Sequence, residues 1–286
     1  VAGFKNHKAV IDSHLEGRYR INSWRKTPSQ TTAANIWFDL SLSPGNPNPQ
    51  YYAAAPMVSK ALSLSQDGGI YHGPAVSPST KFLQKFMALT VTATAVPLPM
   101  ILLDYLLYYP FVDMSSTDQQ DMTVGDTLPR YTDGAGVQIM AVEVAAQVGG
   151  SSFFVTYTNS DGVPGRVTPN VTCNTQVTTG TIITSASATL GSAGPFLPLQ
   201  SGDKGVRSIE SITFLTGDVG LITLVLVKPL ASLSIYDITA AAERDFLLDG
   251  RQCPIIKDDA YLNVIVLPSG TLAGAPIHGT IETIWN

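Results

Sequence analysis

The chain has 286 residues, a formal net charge of −5 and only 14% charged residues, where an average soluble domain has about 25%. Such a length holds one large β domain or two modest ones, and the low charge density describes a surface that is covered by neighbours or neutral and rich in hydroxyls. Two cysteines, Cys173 and Cys253, stand far apart and outside any metal-ligand spacing, which excludes a disulfide scaffold and a zinc module.

Residues 1–26 carry Lys5, Lys8, Arg18, Arg20, Arg25 and Lys26 against Asp12 and Glu16, a net +4 that leaves −9 on the rest of the chain. A basic segment on an acidic body is suited to docking on an acidic surface. It lacks the dense Lys/Arg runs that phosphate neutralisation requires, which argues against nucleic acid as the partner. Apolar residues come singly or in short pairs through residues 1–56, and PGNPNPQYYAAAP over 44–56 places four prolines in thirteen residues. This predicts an extended N-terminal arm over 1–56 with little regular structure. Trp24, Trp37, Phe38, Tyr51 and Tyr52 are its aromatic anchors, a residue class common at interface centres.

Residues 57–128 read as a mixed segment with short helices packing on a β domain. Ser77-Pro78 offers an N-cap with proline at the first helical position, and Phe82, Leu83, Phe86 and Leu89 recur at helical spacing, predicting a helix over 78–93. Met100–Tyr109 places Leu102, Leu103, Leu106 and Leu107 on one side and also reads as helical. The enclosing apolar stretch Val96–Val112 is broken by Asp104 and three prolines and is too short to span a bilayer, so no membrane partner is expected.

From residue 129 to 286 the pattern changes to strands and turns, predicting an antiparallel β-sandwich domain of jelly-roll type. Strands are expected over Val137–Val144, Ser152–Thr158, from Arg166, and over 180–184, 206–215, 219–228, Tyr261–Leu267 and Gly279–Trp285. A short helix is expected over Ala240–Leu248, capped by Thr239. The Thr/Ser/Gly-biased stretch 174–194 suits an exposed strand and loop or an edge packed on a neighbour.

Catalytic signatures are missing from this pattern. There is no P-loop, GxGxxG or GxSxG string, and Asp133-Gly134-Ala135-Gly136 reads as a turn before a strand. His7, His14, His72 and His278 form no HExxH or HxH arrangement. Asp258-Asp259 fits calcium poorly, because adjacent strand residues point to opposite faces unless a turn intervenes. Asp113, Asp118, Asp121 and Asp126 form an acidic patch in a loop, read as a solvated face or a partner for the basic arm. Two carboxylates across a groove, as a glycosidase needs, are a matter of tertiary geometry. No catalytic, cofactor or metal residue is assigned, and the chain is read as a non-enzyme.

Several whole phrases carry a resemblance: GFKNHKAVIDSHLEGRYRINSWRKTPSQ with IWFDLSLSPGNPNPQYYAAAP, then LLDYLLYYPFVDM, LPRYTDGAGVQIMAVEV, VTYTNSDGVPGR, SGDKGVRSIESITFL and DDAYLNVIVLPSGTLAGAPIHGTIETIWN. Over most of its length the chain resembles structural proteins of tailed-bacteriophage particles. The resemblance implies membership of the virion, with a capsid decoration or cement role on the head exterior preferred. A tail or tail-fibre receptor-binding component and a main shell protein are the alternatives. It further implies the main capsid protein as partner, self-association as a trimer, and synthesis in a host bacterial cytoplasm, consistent with the lack of a secretory signal in VAGFKNHK. Arg18, Arg20, Trp24, Arg25, Trp37, Tyr51 and Tyr52 are the expected partner contacts of the arm.

Overall fold

The computed structural model describes residues 3–184, 194–250 and 252–286; the stretch 185–193 of the Thr/Ser-rich segment lies outside the described residues. The protein is mainly β, built from antiparallel sheets. Helix α1 spans His7–Leu15, and ten strands of four residues or more follow in chain order among the described residues. They are β1 (Tyr19–Lys26), β2 (Lys81–Thr90), β3 (Leu98–Asp113), β4 (Gln138–Ala145), β5 (Ser152–Asn159), β6 (Val206–Phe214), β7 (Leu221–Ile235), β8 (Ala242–Asp245), β9 (Tyr261–Val266) and β10 (Ile277–Trp285).

Three sheets result. The first runs β8-β2-β10-β1, with Gly45–Asn46 on the outer edge of β1 and Ile255–Ile256 against β2. The middle sheet runs β9-β3-β7-β4, with Phe38–Asp39 against β9 and Lys60–Ala61 against β3. The third is built on β5 and β6, with Arg166–Val167, Val171–Thr172 and Gln120–Asp121 at its margins.

Strands β3 and β7, 16 and 15 residues long, pair along their whole lengths and organise the molecule. On one face, Leu98, Met100 and Leu102 of β3 with Ala231, Leu233 and Ile235 of β7 pack on Leu83, Phe86 and Ile281 of the first sheet. Further along that face, Leu107, Tyr109 and Val112 with Ile222, Leu224 and Leu226 pack on Phe153, Val155, Ile212 and Phe214 of the third sheet. One sheet thus serves two sandwiches. Its other face carries Leu103, Tyr105, Tyr108, Val225 and Val227, which meet Met140, Val142, Tyr261 and Ile265 from the flanking strands.

That second face is the inside of a barrel. Ile182 bridges to Val142 of β4, and Thr181 bridges to Phe38 beside β9. Glu143 N–H donates to the Thr181 carbonyl at 2.9 Å and Gly180 N–H to the Glu143 carbonyl at 2.8 Å; on the opposite side Ile182 N–H donates to Trp37 at 2.9 Å and Asp39 N–H to Gly180 at 2.8 Å. Residues 180–183 therefore close the middle sheet on itself, which removes two open edges. Gly180 has φ of +98°, and a Cβ there would lie 2.7 Å from the Phe38 ring, so the close passage requires glycine.

Three expected helices are strands. In β2 the register shifts between Glu282 and Thr283 of its partner β10, leaving one extra residue in β2 near Gln84. That bulge places Leu83 and Phe86, three apart, in the same core and so imitates helical spacing. The Ser77-Pro78 bond is cis and lies in a loop. Strand β3 is covered on both faces, so its apolar run lacks alternation and reads as a helix side. Residues 242–245 pair with β2, and only a turn over 246–250 follows.

The N-terminal segment also departs from the extended arm. Asn6 caps α1 by accepting from Ala9 N–H at 3.0 Å, and β1 pairs with β10 over Tyr19–Lys26. Val10 packs with Phe82 and Ile284, and the Phe4 and Phe82 rings lie 5.6 Å apart, which seats α1 on the outer side of the first sheet.

Candidate functional site

The seven predicted contact residues divide by the pleat of β1 and by the barrel. Trp24 and Lys26 face inward while Arg25 faces out, as period-two alternation requires. Trp24 is buried, stacked on Phe86 at 6.4 Å and lying beneath Gly279. Tyr52 is buried inside the barrel. Both were expected to meet a partner; their aromatic surface is instead enclosed within the chain. Trp37 is half-buried against the barrel cluster. Arg18 pairs with Glu16 at 2.9 Å, and Arg20 lies over the Trp285 ring at 5.4 Å. Arg25 and Tyr51 are exposed, Tyr51 at 65%.

Apolar residues that sequence reasoning passed over accompany these exposed groups. Ile11 and Leu15 stand four apart on α1, and Tyr19 and Ile21 share the outward side of β1 with Arg25. Leu15 is 81% and Ile21 58% exposed. The His14 and Tyr19 rings touch at 5.0 Å, joining helix and strand into one surface. The cap Asn6 and the spacing of Val10, Ile11 and Leu15 were the signals available for this helix.

Inside the molecule, charged groups hold the scaffold. Asp39 is buried in the barrel and accepts from Tyr52 Oη at 2.5 Å, Tyr105 Oη at 2.6 Å, Ser41 Oγ at 2.7 Å and Ser41 N–H at 2.8 Å. Burial raises its pKa, and the hydroxyl and backbone donors oppose that shift. Asp104 is buried between the two sandwich cores and takes a two-pronged contact from Arg130, which also donates to the Leu62 and Tyr105 carbonyls. Burial pushes its pKa up to about 6 against the pull of the guanidinium. Lys26 Nζ donates to the carbonyls of Pro47 at 2.9 Å and Ser43 at 3.0 Å, tying the 41–47 loop to the sheet. Burial lowers that ammonium to about 8.

Lys81, His72 and Asp258 form a fourth cluster. Lys81 Nζ lies 3.2 Å from His72 Nδ1, 2.7 Å from the Pro74 carbonyl and 3.5 Å from Asp258. Burial, then the adjacent ammonium, lowers His72 to about 4. Asp258 and Asp259 sit in a turn rather than a strand, yet they still diverge: Asp258 accepts from Val76 and Ser77 N–H, Asp259 from Ser65 N–H. In the acidic patch, Asp113 is capped by Ser115 and Asp126 pairs with Lys60 at 3.3 Å. Gly134 and Gly136 both have positive φ and form the turn before β4. Among the described residues no three His, Cys, Asp or Glu side chains gather as metal ligands, and no helix is long and apolar enough to cross a membrane.

No family model matches the chain, and no curated protein matches it. Among solved structures, the chain is similar to one in the structure of infectious bursal disease virus Gt strain, at 8% identity and a TM-score of 0.19, over 93% of this chain and 80% of that one. It is similar to a chain of the infectious bursal disease virus VP2 subviral particle at 8% identity and TM-score 0.19, over 94% and 81%. A chain of infectious bursal virus-derived T=1 particles gives 10% identity and TM-score 0.17, over 94% and 78%.

Proposed function

We propose that the chain is a structural protein of a virus particle, and within that class a decoration or cement protein on the exterior of a tailed-phage head, bound to the main capsid protein and to its own copies as a trimer. The observation that carries the reading is the exposed surface of Ile11, Leu15, Tyr19 and Ile21, with Arg25 further along the same side of β1, on a body whose buried Asp39, Asp104 and Lys26 serve the scaffold. Apolar side chains gathered on a surface mark interaction sites, and an arginine on the same side supplies a bidentate donor for a carboxylate of the partner. The resemblance of whole phrases to phage structural proteins supports the same reading. Rigid sandwiches sharing one pair of long strands suit a protein that resists load through many ordinary interfaces at once.

Copy number in purified particles tests the assignment. A ratio to the main shell protein near one supports a head-wide layer; a ratio of a few per cent assigns the chain to a tail or vertex and removes the cement reading. The contact surface is tested by point substitution, because β1 is built into the first sheet and its deletion would unfold that sheet. Leu15→Glu and Ile21→Glu are expected to lower particle occupancy while the isolated chain keeps its thermal midpoint.

A further inference from the structure

Beyond the barrel, two shallow depressions of about 420 and 300 Å³ lie side by side along the far half of β3 and β7, where β8 of the first sheet approaches. They share Ile101, Ser232 and Arg244, so they form one groove with Arg244 at its waist. Ser232 and Ser234 stand on the floor, and Trp37 and Tyr236 line the larger lobe, Tyr236 at 78% exposure.

The backbone along this floor is also available. Strand β4 pairs with β7 only over Leu221–Val227, so the far half of β7 has a free edge. Pro99, opposite Ser234, has no N–H, and its carbonyl is turned the other way to accept from Leu267 N–H at 2.8 Å. Ser234 and Pro99 are therefore a non-hydrogen-bonded pair, and by alternation the N–H and C=O groups of Ser232 and Ser234 point to the free edge. Strand β8 approaches β7 there without pairing to it. The groove thus offers hydroxyls, outward backbone donors and acceptors, two aromatic side chains and one cation. Among its lining residues Arg244 is the sole charged group, held loosely by Asp249 at 3.5 Å.

We propose that this groove binds an acidic glycan: sugar rings lie against Trp37 and Tyr236, hydroxyl groups bond to Ser232 and Ser234, and a sugar carboxylate exchanges with Asp249 for the Arg244 guanidinium. Aromatic rings with a polar tip suit a ligand that is apolar on one side and wet on the other, and a guanidinium matches a carboxylate bidentately. The site is independent of the surface around Leu15 and Ile21, so either can fail without the other.

The test is calorimetric titration of the full chain with an oligomannuronate tetrasaccharide, with maltotetraose as the neutral probe and tetraglutamate as the acidic peptide. The expected result is binding of the uronate alone, weakened by about tenfold or more in Arg244→Gln, as for loss of one charge-assisted contact, and similarly in Tyr236→Ala. Both side chains lie at the surface, so an unchanged thermal midpoint verifies the fold of each variant. No binding of the uronate, binding that survives both substitutions, or equal binding of maltotetraose overturns the proposal. Tetraglutamate binding with the same dependence on Arg244 and Tyr236 also overturns it, and makes an acidic peptide the occupant.

Discussion

Arg130 grips Asp104 with two parallel bonds, Nη2 to Oδ1 at 2.7 Å and Nε to Oδ2 at 3.0 Å, at the position on β3 where one sandwich core ends and the other begins. The side chains are 6% and 0% exposed, so neither charge has water to fall back on. Removing one partner strands the other. Arg130→Met or Asp104→Leu alone is expected to cost about 3–5 kcal/mol, whereas the double replacement costs much less. Urea unfolding of the three variants checks this, and a single-variant cost below about 1 kcal/mol would show that the pair is not a buried clamp.

Tyr52 and Tyr105 share the Asp39 carboxylate inside the barrel. Tyr52→Phe keeps the ring and deletes one donor, leaving a buried carboxylate short of a bond. A loss of about 1–3 kcal/mol is expected. Because Asp39 then has less to stabilise its charge, its already raised pKa moves further up. Unfolding curves at neutral and acid pH measure both effects: the penalty shrinks as acid protonates Asp39.

Glu143 carries its backbone bonds at the barrel seam, and its carboxylate is fully buried beside Gln147. Burial pushes its pKa up to about 8 from 4.5, opposed by Gln147 and reinforced by Asp218. The folded state therefore binds the proton more tightly than the unfolded chain. Between those values the unfolded state holds fewer protons, so this group's contribution to stability is full below pH 4.5 and is lost as pH rises through about 8. Glu143→Gln should flatten that slope in a thermal-midpoint series over the same range; an unaltered slope would rule Glu143 out as its source.

Gly279 lies against Trp24, and a Cβ at that position would be 2.4 Å from the indole and 2.5 Å from the Met87 carbonyl. Neither neighbour can retreat from a packed core between β1, β10 and β2. Gly279→Ala is expected to destabilise by about 1–3 kcal/mol through overpacking. The tryptophan fluorescence maximum should move with it, which distinguishes a disturbed Trp24 from a remote effect.

The strands of the C-terminal half were legible because each has one buried and one wetter side and is bounded by turn residues. Ser152–Asn159 alternates throughout, with Phe153, Val155 and Tyr157 inward, and Asn159 to Gly162 make the turn. The same rule failed where its premise failed. β3 has no wet side, and β2 breaks its own period with a bulge. In the predicted contact set, the alternation Trp24, Arg25, Lys26 held the information that Trp24 turns inward, but only once those residues are known to form a strand. The burial of Lys26, and its cage of carbonyls from 41–47, contradicts any reading by residue type.

By itself the sequence determined the β class, the positions of most turns and the basic character of the first 26 residues, because each is set by local propensity or by composition. Tertiary structure alone decided that β3 and β7 serve two sandwiches, that residues 180–183 close a barrel, and that Tyr52 meets Asp39 within it. These are contacts between residues far apart in the chain. Their partners are chosen by which faces remain to be buried once the strands have paired, a condition on the whole fold that no local window contains.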